Sequence, residues 1–274
     1  MKNVLALLLP ASLAAITIGE ASLHQYDDGP APAPSFQFGP GDPGWFSFRL
    51  GGYKKTGDEV PRVHMTWRVE VKDSAGVPVV ESKADDINVT LAGEDKNWQP
   101  KKRHDFQLPP MLDSGEYTVT VSAKDELANQ AARQDLKFNV RSSLRVEASP
   151  ALVARNFRFL RGEEDAVPLQ PASYKQGSAL WARFEITGYK FGPRNALDVA
   201  YGLEVLRADG SRLYAEPNAA GDKDSTFYPK RYVPGSLSLN LQNDIPKGNY
   251  TIVLRLADKL GKQTAESRHE FTVE

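Results

Sequence analysis

Four histidines, no cysteine and a scatter of acidic pairs are what the 274 residues offer to catalysis or metal binding. His24, His64, His104 and His269 are not spaced from one another, or from a carboxylate, as a zinc-binding helix requires. They read as surface histidines. The missing cysteine removes thiol catalysis, zinc ribbons, disulfide frameworks and a lipid-anchored cysteine together. No Gly-x-Ser-x-Gly elbow supplies a nucleophile, and the Gly39–Gly44 stretch is interrupted by Pro40 and Pro43. Asp85-Asp86, Glu94-Asp95 and Asp222-Lys223-Asp224 have the hard oxygen ligands that calcium prefers, but lack the length and glycine placement of an EF-hand loop. They read as solvated turns. The expectation is no catalytic residue, no metal site and no cofactor.

Recognition has more to build on. Gly93-Glu94-Asp95-Lys96-Asn97-Trp98-Gln99-Pro100-Lys101-Lys102-Arg103 reads like Gly221-Asp222-Lys223-Asp224-Ser225-Thr226-Phe227-Tyr228-Pro229-Lys230-Arg231. Each has a glycine, acids, an aromatic, then proline followed by a basic pair. An aromatic beside cationic donors stacks on a ring while the charges take its polar rim. The predicted binding residues are therefore Trp98, Lys101, Lys102, Phe227, Tyr228, Lys230 and Arg231. The competing reading is structural: the aromatic anchors a strand, and Pro and Lys/Arg guard an edge.

The elements that must position these residues come in two copies. Gly44 to Lys54 aligns with Leu180 to Lys190, and Ser114 to Val119 with Lys247 to Ile252. An Asp-x-Leu-x-x-Gln-x-Ala string follows in both, from Asp125 and from Asp258. Its Asp is expected to bond turn amides and its Leu to cap the core. Trp45, Trp181, Tyr53 and Tyr189 read as core aromatics. Period-two alternation at Trp67, Val69, Val71 and at Tyr117, Val119, Val121 predicts strands with one buried face. Turns fall at Asp73-Ser74-Ala75-Gly76 and Arg207-Ala208-Asp209-Gly210. About seven short strands per copy make a β-sandwich.

Leu112-x-x-Gly115-x-Tyr117 and Ile245-x-x-Gly248-x-Tyr250 have the form of a tyrosine corner. On these residues the chain resembles tandem bacterial immunoglobulin-like or fibronectin-III-like domains. The resemblance implies an all-β fold of two tandem antiparallel immunoglobulin-like β-sandwiches, and by itself selects no function.

The boundaries follow. Lys2 and the apolar run Val4 to Ile18 read as a signal peptide over 1–21, with cleavage before Ser22. A Pro/Ala-rich spacer is expected over 22–35, the first sandwich over 36–140, a linker over 141–150 and the second sandwich over 151–274. No later run is apolar enough to span a bilayer, so the mature chain has no expected membrane span. A net charge of −1 leaves no global attraction to nucleic acid. Together these features point to an exported, non-enzymatic binding or spacer protein, periplasmic or extracellular, whose partner is an envelope protein or glycan. Two alternatives are a structural subunit or assembly chaperone acting by strand addition, and an accessory part of an envelope enzyme.

Overall fold

In a computed structural model, which describes residues 15–27, 29–57, 59–95, 97–143 and 145–274, the chain is all-β. It divides into two compact units, one ending at Ser142 and the other beginning at Ser143. The proposed leader residues 1–14 lie outside the described residues.

In the first unit the strands are β1 (Thr17–His24), β2 (Pro43–Gly51), β3 (Arg62–Lys72), β4 (Lys83–Thr90), β5 (Lys101–Gln107), β6 (Gly115–Asp125) and β7 (Gln130–Val140). They form two antiparallel sheets, ordered β1-β2-β5 and β4-β3-β6-β7. This is the strand order of a fibronectin-III-like sandwich. The inward row of β2 is Phe46, Phe48 and Leu50, all at most 1% exposed, and it meets Val69, Val71, Val119 and Val121 from the other sheet, all 0% exposed. The Phe48 ring stands edge-on to Trp67 at 5.3 Å between centroids.

The second unit repeats the plan with β8 (Val153–Leu160), β9 (Ser173–Tyr174), β10 (Ala179–Thr187), β11 (Ala196–Arg207), β12 (Arg212–Ser225), β13 (Val233–Asn240), β14 (Gly248–Asp258) and β15 (Gln263–Val273). Its sheets run β13-β10-β8 and β12-β11-β14-β15-β9. Phe184 and Tyr201 take the places of Phe48 and Trp67, edge-on at 5.1 Å.

Both tyrosine corners close. Tyr117 Oη donates to the Asp113 carbonyl at 3.0 Å, and Tyr250 Oη to the Pro246 carbonyl at 2.6 Å. The two predicted turns also close, Gly76 N bonding Asp73 O and Gly210 N bonding Arg207 O, both at 2.9 Å. Asp125 and Asp258 are buried and do more than hold their own turns. Asp125 Oδ1 accepts from the amides of Leu127 and Ala128, while Oδ2 accepts from Lys54 N at 2.6 Å. Asp258 likewise takes Gly261 N and Lys190 N, both at 2.9 Å. Each carboxylate ties the last hairpin of its unit to the loop after β2 or β10. The expected core-capping role of the leucine fails in the second copy, where Leu260 is 46% exposed.

Two further expectations are corrected. Trp45 and Trp181 are not core residues. They occupy the outward row of β2 and β10, because the inward row is already taken by Phe46, Phe48, Leu50 and by Ala182, Phe184, Ile186. The duplication also begins earlier than Trp45. Strand β1 runs across the boundary expected at Ser22, and its last three residues lie inside the expected spacer. It pairs Thr17 with Gly51 as β8 pairs Val153 with Thr187. Each strand carries a bulge in the same place, at Glu20 (φ 50°) and Asn156 (φ 49°). Ile16 and Leu152 are buried ahead of them. Gly52 and Gly188 have positive φ, and a Cβ there would strike the carbonyl oxygens of Ala15 and Ala151 at 2.2 and 1.9 Å.

Candidate functional site

The loop before β5 and its counterpart before β13 are each pinned by a buried tyrosine. Tyr53 Oη donates to the Trp98 carbonyl, and Tyr189 Oη to the Lys230 carbonyl at 2.5 Å. Burial, helped by the negative charge of Asp222, pushes the Tyr189 phenol well above its ordinary range, so it stays a donor. Arg49 Nη1 and Thr187 Oγ1 add bonds to the carbonyls of Gln99 and Arg231 at 3.0 and 3.2 Å. Earlier in the second loop, Asn195 Nδ2 donates to the carbonyls of Thr226 at 3.1 Å and Phe227 at 2.7 Å.

The predicted binding residues divide sharply within these frames. Trp98 is half-buried, its ring edge-on to Tyr53 at 6.4 Å. Lys101 opens β5 opposite Arg49. Lys102 bonds Asp85 at 3.2 Å and reaches over the Trp67 ring at 6.0 Å. Its hydrogen bond holds the Asp85 carboxyl below the usual range. Tyr228 is buried, its hydroxyl accepting from Arg231 Nη2 at 3.1 Å. Lys230 is clamped between Asp224 at 2.6 Å and Asp222 at 3.0 Å. Partial burial pulls its ammonium down, yet the bonds to Asp224 and Asp222 leave it raised. Phe227 is the exposed aromatic among them, 52% exposed on a loop whose backbone is fixed on both sides.

The sequence match between the two loops does not survive the strand register. Lys101 and Lys102 lie opposite Arg49 and Phe48; the residues opposite Glu185 and Phe184 are Pro234 and Gly235, four positions beyond the matched pair Lys230-Arg231. Gly221 to Ser225 are not loop at all but the end of β12. The shared spelling is a resemblance of composition, and what the copies share structurally is the tyrosine pin.

Sequence reasoning missed a pair of shallow grooves on the outer face of the larger sheets. In the first unit a depression of about 720 Å³ is lined by Arg68, Ala84, Ser122, Lys124, Ala131 and Arg133 among others. In the second, one of about 540 Å³ is lined by Gly202, Pro217, Arg255, Ala257, Thr264 and Glu266. The rows Arg68-Ser122-Arg133 and Gly202-Arg255-Glu266 occupy matching positions. The only sequence signal was a run of small residues on the solvent row, which carries no chemistry by itself.

Two of the histidines, His104 and His269, differ from the expectation of free surface positions. His104 is 6% exposed on the inward row of β5, with neither ring nitrogen in a well-formed hydrogen bond. His269 lies flat on Phe157 at 3.5 Å and bonds Ser267 Oγ at 2.9 Å. His24 ends β1 and meets Ser47 Oγ at 3.0 Å. His64 pairs with Asp86 on the outer face. Among the described residues no group of three or more His, Asp or Glu is arranged to hold a metal ion, and no helix is long and apolar enough to cross a membrane.

No protein-family model matches the chain, and no curated protein matches its sequence. Among solved structures, it is similar to the C-terminal domain of the AgI/II polypeptide BspA of Streptococcus agalactiae, with TM-score 0.35 and 8% identity over 94% of this chain and 100% of that one. The C-terminal domain of the antigen I/II-family protein AspA of Streptococcus pyogenes gives TM-score 0.34 and 10% identity, over 96% of this chain and 99% of that one.

Proposed function

We propose that the chain is an exported, non-enzymatic recognition protein of the cell envelope that engages a protein or glycan partner through the loop before β13. The observation that carries this is Phe227. A large aromatic half open to water is unfavourable to leave unburied, and here it sits on a backbone locked by Asn195, Thr226 and the Tyr189 pin. An anchor held rigid before binding loses little entropy on docking, which is what an interface hot spot requires. Trp98, half-buried behind the matching pin, is a weaker anchor of the same kind. Lys102, Tyr228 and Lys230 serve as scaffold for these loops. Cleavage before Ser22 would remove the buried Ile16 and the first five residues of β1 from the first sandwich.

The test is capture from envelope extract by the full chain, beside Phe227→Ala and Trp98→Ala variants checked for unchanged melting. Capture by the parent and loss with Phe227→Ala supports the reading. Equal capture by all three moves the contact to a sheet edge and favours strand addition.

A further inference from the structure

The outward row of β10 runs Trp181, Arg183, Glu185, and across the sheet Arg158 lies opposite Arg183 and Arg155 opposite Glu185. Three guanidinium groups therefore share one small face with a single carboxylate from these strands. That carboxylate is committed. Glu185 is 2% exposed and accepts from Arg158 Nη1 at 3.1 Å, so these two neutralise one another. Arg183 reaches the backbone carbonyl of Glu163, not its carboxylate. The Nε of Arg155 is buried without a hydrogen-bond partner among the described residues. Two cations thus face outward on adjacent strands beside a half-buried tryptophan, with the exposed Ser236 opposite Arg183 on the third strand.

The first unit shows that the scaffold does not need this cluster. At the matching positions it has Ser47 for Arg183, Gly19 for Arg155 and Ser22 for Arg158; of the cations on that face, Arg49, Arg103 and Lys101, Arg49 pairs with Glu20 at 2.8 Å and Arg103 with Asp27 at 2.7 Å. Like charges gathered on a rigid sheet repel one another, and an anion relieves that repulsion. Guanidinium forks take a carboxylate through two parallel hydrogen bonds, and an indole offers a flat apolar face to a ring.

We propose that this face of the second unit binds an acidic polysaccharide, Trp181 stacking on a sugar ring while Arg183 and Arg155 hold its uronate carboxylate. A sugar is favoured over an acidic peptide because the arginines flank a flat indole on the sheet face, and an indole face stacks on a ring. The inference rests on the recognition reading above and names the class of ligand for a second face.

The experiment is affinity electrophoresis and titration calorimetry of the full chain with polygalacturonate, its methyl-esterified neutral form, and poly-L-glutamate. Polygalacturonate is expected to bind and the neutral form not to. Arg183→Ala and Arg155→Ala should each weaken binding by about tenfold or more. Trp181→Ala should abolish it, Trp181→Phe should keep part of it, and Phe227→Ala should leave it unchanged. Melting curves confirm that each variant is folded. Poly-L-glutamate bound as tightly as polygalacturonate, arginine variants that bind like the parent, or no binding of any acidic polymer overturns the proposal. Envelope capture that depends on Phe227, with polygalacturonate ignored, overturns the acidic-sugar site and leaves the recognition reading in place.

Discussion

The two units keep the same joints and differ in what they place on them. Phe48 against Trp67 and Phe184 against Tyr201 link the sheets in one geometry. The tyrosine corners, the Asp clamps and the tyrosine pins recur with their hydrogen bonds. Three histidines, by contrast, stand where the other copy has leucine. The strand registers pair His24 with Leu160, His104 with Leu237 and His269 with Leu136. The arginine cluster and the exposed Phe227 belong to the second unit alone. What both copies retain is scaffold. What one copy has alone is the place to look for function.

The comparison predicts the largest effect at the first strand. A chain begun at Ser22 loses Ile16 and the Thr17–Gly51 end of the β1 ladder, and the first unit should unfold at ordinary temperature while the second still melts cooperatively. Ile16→Ala alone should cost about 2–5 kcal/mol, read by denaturant titration. Next come the clamps. Asp125→Ala or Asp258→Ala leaves buried amides without an acceptor and should cost about 3 kcal/mol in its own unit. Similar losses in the two units would confirm the shared joint. A loss in only one would break it.

Smaller effects separate the copies. Burial holds the His104 imidazole below its ordinary pKa, with Lys83 adding to the shift and Asp105 and the Glu81 backbone opposing it. The unfolded chain therefore takes up the proton first. Stability of the first unit is full above about pH 6.5 and falls as pH drops toward the lower folded value. His104→Leu, which copies Leu237, should remove that slope and raise stability by about 1–2 kcal/mol, seen in melting curves at pH 7 and pH 5. His269, also lowered by burial, gives the second unit its own slope, which His269→Leu should remove. Tyr117→Phe and Tyr250→Phe should each cost about 1 kcal/mol.

The sequence carried the fold through signals with a local cause. Period-two rows, turn glycines and the corner tyrosines announce themselves because backbone geometry demands them. The site was less legible. The tyrosine pins depend on contacts between residues more than 40 apart, which no spacing rule reports. The loop match failed because a proline and two cations recur by composition, while strand register is set by the buried row. Strand β1 was hidden because Thr17–His24 follows directly on the apolar run that reads as a leader. Trp181 was misread because an aromatic in an alternating run gives no sign of which row is the inner one.

The central claim is that scaffold and recognition lie on different residues, and one experiment on the full chain addresses both. Melting temperature and partner capture are measured together for Asp258→Ala and Phe227→Ala. The account predicts that Asp258→Ala lowers the melting temperature and still captures the partner below it. Phe227→Ala should melt within about 0.5 kcal/mol of the parent and lose capture. A Phe227→Ala chain destabilised as much as Asp258→Ala, or one that melts and captures like the parent, would contradict it.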